Sequence, residues 1–323
     1  MDGFKHLFEI EKKPRKGMLT AEWVVMGYLL LTVLFILFTY TKIQNPDSLL
    51  WGRFRVVAMT LALWGVYRMI PCRFTYFCRI GLQLLLLSWW YPDTYELNRV
   101  FPNLDHVFAS YEQQVFGGQP ALYFAASFSN PVFSELMHLG YASFYPLIAA
   151  TILFYFFCRY QEFDRTAFII LSSFFVYYVI FVFLPVTGPQ YYYLAAGIDN
   201  IANGVFPNLG HYFATHSECL PIPGYSDGFF YQCVVEAHNT GECPTAAFPS
   251  SHVGVTTILV ILAWLSRSKI LFWCIVPLFA LMCFATVYIQ AHYAIDVIGG
   301  WVSGIILFVV LHFLYGKIWQ VRK

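Results

Sequence analysis

The chain has 323 residues, of which 59% are hydrophobic and only 11% charged, with a mean hydropathy of +0.60. Soluble domains carry about a quarter charged residues, so this deficit excludes an ordinary soluble protein and points to a polytopic membrane protein. A net charge of +1 gives no case for nucleic acid as a partner.

In chain order, a basic N-terminus comes first, with Lys5, Lys12, Lys13, Arg15 and Lys16. Eight apolar segments follow, at about 22–41, 54–70, 75–91, 139–158, 166–186, 252–266, 269–289 and 295–315. The first lacks a small-residue cleavage site and is too long for a signal-peptide core, so it reads as a retained helix. Arg68 and Arg79 shorten the second and third, and arginines near helix ends can snorkel. With eight spans and an internal N-terminus, fifteen Lys and Arg fall on the cytoplasmic side. Only Lys42, Arg53, Arg55 and Arg99 fall outside, as the positive-inside rule requires.

Two long connections lie on the outer side. Residues 92–138 read as partly helical and interfacial, and residues 187–250 hold no Lys or Arg and read as a folded lid. Cys219, Cys233 and Cys243 in that lid allow one disulfide and a spare thiol in an oxidising compartment, or three free thiols. The remaining cysteines sit in or beside apolar runs as small hydrophobes, and no C-x-x-C pair gives a zinc spacing. Asp199, Glu218, Asp227, Glu236 and Glu242 read as solvation of the lid. Glu135 and His138 read as an i, i+3 pair, and Gly300 and Gly304 as a close helix contact.

Two stretches open onto the same outer face, FPSSHVG at 248–254 and AHYAIDVIGG at 291–300. In the second, Asp296 follows His292 by four residues. On a helix this spacing puts both side chains on one face, about 5–6 Å apart at Cβ. An intramembrane aspartate needs a partner. Accepting from one ring nitrogen, it would fix the tautomer and leave the other nitrogen basic, which makes His292 a candidate nucleophile. A purely structural His–Asp cap accounts for the same spacing. In the first stretch, Ser250 or Ser251 can cap the apolar helix that follows. A helix N-terminus with added hydroxyls suits a phosphate, and His252 in the first turn can act as a general acid. An ordinary capped helix with an interfacial histidine explains this motif taken alone, but two such motifs on one face favour chemistry.

Pro-Ser-x-His followed by a downstream His-x-x-x-Asp resembles the type 2 phosphatidic acid phosphatase superfamily, over about residues 165–315. The resemblance implies His292 as the phosphate-attacking nucleophile, Asp296 as its orienting partner and His252 as the acid. Ser250 and Ser251 would hold phosphoryl oxygens. The phosphatase branch's Lys-x6-Arg-Pro is absent, and Ala285 and Thr286 stand where that branch has Ser-Arg. The run ATVYIQAHYAIDVIGG instead resembles the inositol phosphorylceramide synthase branch, and sphingomyelin synthases share its looser His-Tyr-x-x-Asp core. LPVTGPQYYY resembles a Gly-Pro signature of the same branch, with Gly188 shaping a turn and Gln190 donating a neutral hydrogen bond. The missing basic residues leave a phosphoryl group short of positive charge, and Arg99 is the expected source of part of it.

The expectation is an all-α polytopic transmembrane helix bundle with a six-helix catalytic core and two additional N-terminal helices. It divides into a basic N-terminus (1–20), N-terminal helices with an outer loop (21–138), a catalytic bundle (139–317) and a cytoplasmic tail (318–323). The implied activity moves an inositol-phosphate-like headgroup between membrane lipids through a phosphohistidine, without metal or cofactor, on the non-cytoplasmic face of a plasma or bacterial inner membrane. Water as acceptor in place of an alcohol would make it a lipid phosphatase. A non-enzymatic scaffold with a degenerate site is the rival of a different class.

Overall fold

The computed structural model describes residues 6–321; Lys5, Arg322 and Lys323 of the basic count lie outside them. The described residues are all-helical. In order they form α1 (Thr20–Phe38), α2 (Pro46–Met69), α3 (Arg73–Leu85), α4 (Leu87–Asn98), α5 (Asp105–Phe116), α6 (Pro120–Ser127), α7 (Pro131–Ala142) and α8 (Phe144–Cys158). Then come α9 (Tyr160–Phe183), α10 (Pro189–Ala196), α11 (Ile198–Ala202), a 3-10 turn at Tyr212–Ala214, α12 (Phe229–Gly241), α13 (Ser251–Leu265), α14 (Lys269–Tyr288) and α15 (Ala294–Val321). Pro46, Pro120, Pro131 and Pro189 open their helices, where a missing N–H costs nothing and the fixed φ is already helical.

Helices α1, α2, α9 and α14 and the stretch Ala294–Lys317 of α15 are long and apolar enough to cross a membrane. Helices α7 and α8, bent by 48° at their junction, make a sixth span if counted as one. The expected span at 75–91 is instead divided at Leu86 between α3 and α4, and α13 is a shorter apolar helix of 15 residues. Arg79 does not snorkel. Its guanidinium is fully buried and binds Glu22 of α1 through Nε (2.7 Å) and Nη2 (2.6 Å). Arg53 of α2 likewise pairs with Asp93 of α4 at 2.6 Å. Hydropathy penalised Arg79 because it cannot see the carboxylate that neutralises it.

Helix α9 is the most buried span and packs on α1, α4, α8, α13 and α15. Helix α13 packs extensively on α15. A Cβ on Gly304 would lie 2.5 Å from the Gly254 carbonyl oxygen, and one on Gly300 would lie 2.7 Å from that of Ser250. This approach sets the N-termini of α13 and α15, and the two motifs they carry, side by side. The 187–250 connection is folded, as its composition implied: α10 and α11 lie in it, and α12 packs on α7 to cover the mouth of the bundle. All eight cysteines are free thiols, so the disulfide allowed for the lid is not formed.

Candidate active site

The N-cap of α13 is Ser250, whose Oγ accepts from the Val253 N–H at 3.4 Å. Its own N–H donates to the Asp296 carbonyl at 3.1 Å. Both groups are therefore spent on structure, and Ser251 is the serine that faces the cavity. His252, one residue further, has its ring centroid 4.6 Å from Tyr141 and 4.3 Å from Phe144. Its Nδ1 is buried without a hydrogen-bond partner.

His292 lies 5.8 Å from His252, centroid to centroid. It does not sit on a helix, as the i, i+4 spacing suggested, but in the turn between α14 and α15. Gln290 there has φ of +64°, and the helix resumes only at Ala294. The reason is the aspartate itself. Asp296 Oδ2 accepts from the Tyr293 N–H at 2.8 Å, capping α15 from its third position. The orienting partner of His292 is accordingly the Ala247 carbonyl, 2.7 Å from Nδ1, with Asp296 Oδ2 standing off at 3.5 Å. A carbonyl only accepts, so Nδ1 carries the proton and Nε2 keeps its lone pair. Burial pushes His292 down to about 4, against the opposing pulls of the Ala247 carbonyl and Glu242. The ring is neutral at physiological pH.

Ala247 is held in turn. Its N–H donates to the Val186 carbonyl at 2.9 Å, which brings the segment before α10 against the histidine turn. Gly188 sits in that segment with φ of +91°, and a Cβ there would lie 2.6 Å from the Ala291 carbonyl oxygen. Gln190 joins the same turn, its N–H donating to the Gln290 carbonyl at 2.9 Å, and its side chain lines the cavity while donating to the Leu220 carbonyl.

Beneath this turn lies a residue that sequence reasoning missed. Asp105, fully buried at the start of α5, accepts from Thr187 N–H (2.7 Å), Thr187 Oγ1 (2.9 Å), Gly188 N–H (2.9 Å), Asn103 Nδ2 (2.5 Å) and Tyr293 Oη (2.9 Å). Burial pushes its carboxyl up and these donors pull it back. One carboxylate thus ties the Gly188 segment to the residue next to His292. Glu112, also in α5, accepts from the Ile295 N–H at 3.1 Å at the N-terminus of α15. Burial and the nearby Asp296 push it up to about 8. Neither acid has a sequence signal, because apart from Asn103 beside Asp105 the partners of both lie some eighty residues or more away in the chain.

The cavity beside the two histidines has a volume of about 260 Å³. Its wall includes Tyr91, Tyr141, Tyr145 and Tyr178 from the bundle and His238 and Glu242 from the lid. Glu242, expected to solvate the loop, instead lines this cavity and accepts from Tyr91 Oη at 2.9 Å. Burial pushes its carboxyl up, while the Tyr91 hydroxyl and His292 pull it back. Its place in the chain, ten residues before His252, was the available signal.

Arg99 is not brought to this cavity. Its guanidinium binds Glu96 and the Ala214 carbonyl, stacks over Tyr95, and lines a separate small pocket. Glu135 and His138 come within 3.6 Å of each other, but the Glu135 carboxylate chiefly caps α12, accepting from the N–H groups of Phe230 and Tyr231.

Two imidazoles converge beside a capped helix tip, inside the helical bundle of a membrane protein. A family model for the PAP2 superfamily matches residues 106–310, and the chain belongs to that superfamily. No curated protein and no solved structure matches it. Membership supports a lipid phosphatase- or phosphotransferase-like function.

Proposed function

We propose that this protein is an integral-membrane lipid phosphotransferase that works through a phosphohistidine. His292 Nε2 attacks the phosphorus of a phospholipid. The N–P bond forms as the bond to the leaving alcohol's oxygen breaks, and His252 delivers the proton that this oxygen takes up. An incoming lipid or inositol-like hydroxyl then gives its proton back to His252 and attacks the phosphohistidine, freeing His292. General acid–base help of this kind contributes about 10²- to 10⁴-fold. Backbone N–H groups at the tip of α13 and the Ser251 hydroxyl face the phosphoryl oxygens, and the reaction faces the non-cytoplasmic side. Water as acceptor would turn the same cycle into phosphatase activity.

The observation that carries this reading is the 5.8 Å approach of two imidazoles, one of them locked by the Ala247 carbonyl with Nε2 free. Asp296 acts less as a relay than as the cap that sets the position of His292. The test is to trap a labelled phosphoryl group on the protein from labelled phospholipid. Wild-type protein should carry acid-labile label and His292→Gln none. Label that persists in His292→Gln would overturn the assignment.

A further inference from the structure

The turn joining α13 to α14 lies at the far end of α13 from Ser250 and the two histidines. A second cavity, of about 630 Å³, opens at this turn and shares no residue with the one beside the histidines. Trp264, Phe272 and Trp273 form its aromatic wall, with ring centroids 5.5 Å apart for the first pair and 5.4 Å for the second. The two indoles are 69% and 65% exposed. Arg267 and Lys269 complete the cavity, and both are exposed. Among the described residues neither cation pairs with a carboxylate, and no acidic side chain lines the cavity. Arg159 reaches the Ser266 carbonyl at 2.9 Å, but Glu162 holds its charge, as it does that of Arg165. Arg267 also stands where an arginine is costly. It follows the C-cap Ser266 with φ of +58°, the left-handed conformation that glycine usually supplies at a helix end. Its backbone N–H donates to the Trp264 carbonyl, yet its guanidinium bonds to nothing among the described residues. A strained residue with an idle charged side chain points to a ligand outside the chain.

We infer that this turn binds one anionic phospholipid from the leaflet on the face opposite the two histidines. Arg267 and Lys269 meet the phosphate, and the indoles lie along the glycerol and the upper acyl chains. Two cations without a carboxylate favour an anion, and exposed tryptophans favour the headgroup level of a bilayer. The length of α13 agrees. Its 15 residues cover about 22 Å, whereas the hydrocarbon core is about 30 Å thick. A span this short is met by thinning of the bilayer, which brings headgroups to its ends. In the orientation proposed above, this face is cytoplasmic, and anionic lipids gather in that leaflet. The bound lipid ties α13 to α14, the helices that lead to His252 and to the turn bearing His292. The inference does not depend on the chemistry of His292, so its test stands whether or not a phosphoryl group is trapped.

The full chain in neutral detergent is titrated with phosphatidylglycerol or phosphatidylcholine carrying brominated acyl chains, which quench nearby indoles. Phosphatidylglycerol should quench saturably and raise the melting midpoint, and phosphatidylcholine should do neither at the same concentration. The double variant Trp264→Phe with Trp273→Phe should lose the quench, whereas His292→Gln should keep it. Arg267→Gln with Lys269→Gln should weaken phosphatidylglycerol binding about thirtyfold, which is about 2 kcal/mol at about one per cation near a lipid surface. Arg267→Gly separates binding from folding. It relieves the backbone, so it should melt at or above wild type without lipid and yet lose much of the lipid-induced rise. Equal responses to both lipids, or wild-type affinity in the charge-neutralised variant, overturn the proposal. So does a quench that survives loss of both tryptophans, which would place the lipid elsewhere. A melting shift reproduced by glycerol phosphate alone also overturns it, because the ligand would then be a free anion.

Discussion

Replacing Asp105 by asparagine probes the internal brace of the site. The carboxylate meets five donors, three on Oδ2 and two on Oδ1. Asparagine keeps one acceptor oxygen and puts an NH₂ where the other was, so at least two of these donors lose their acceptor. A buried donor left unmet costs about 1–3 kcal/mol, which gives about 2–6 kcal/mol for two. The released partners are Gly188 and Tyr293, or Thr187 and Asn103, and the turn bearing His292 leans on them. A misplacement of about 1 Å at a reacting group lowers rates about 100-fold. The expected outcome is a lower melting midpoint in detergent, together with a fall of ten- to a hundredfold (about 1.4–2.7 kcal/mol) in phosphoryl trapping at a temperature where the variant is still folded. Tyr293→Phe removes one of the five contacts and should show a milder form of the same defect. An Asp105→Asn protein with wild-type melting and wild-type trapping would refute the bracing role.

Three further outcomes follow from the geometry. Glu112 is pushed up to about 8 from an ordinary value of 4.5, so the folded chain holds a proton there that the unfolded chain releases. That contribution is complete below about 4.5 and is lost as pH rises through about 8. Between pH 6 and 8 the slope amounts to about 2–3 kcal/mol. Glu112→Gln should therefore melt increasingly above wild type as pH is raised from 6 to 9, and a constant gap would contradict the assignment. Gly188→Ala combines a φ of +91° with a Cβ 2.6 Å from the Ala291 carbonyl oxygen. It should cost at least about 1–2 kcal/mol and most of the trapping activity, measured by thermal melting and labelling. Arg99→Ala removes a contact to the Ala214 carbonyl outside the cavity beside the two histidines. It should leave KM for the lipid within about twofold, whereas an Arg at the phosphate would cost tenfold or more; a steady-state KM decides between them.

How much of this was legible in the residues depends on the range of the interaction. Membrane residence followed from composition, and the capping of α13 by Ser250 followed from the local sequence. The fold class and the superfamily were readable because apolar runs and two spaced motifs are local patterns. The partnership of His252 with His292 was readable only as an inference from two motifs on one face. Arg79 was misjudged because its carboxylate, Glu22, lies on another helix, and Arg53, counted among the outer cations, is buried against Asp93 of α4 for the same reason.

What the sequence by itself determined is the all-helical membrane class and the motif residues that mark the superfamily, since hydropathy, caps and motif spacing are properties of neighbours along the chain. Only the tertiary structure decided what those residues face. It gave His292 to the Ala247 carbonyl and turned Asp296 into a helix cap. It also took Arg99 away from the cavity and put Glu242 into it. The physical reason is that a buried polar group takes whichever partner packing brings within hydrogen-bonding distance, and distance along the chain places no limit on that choice.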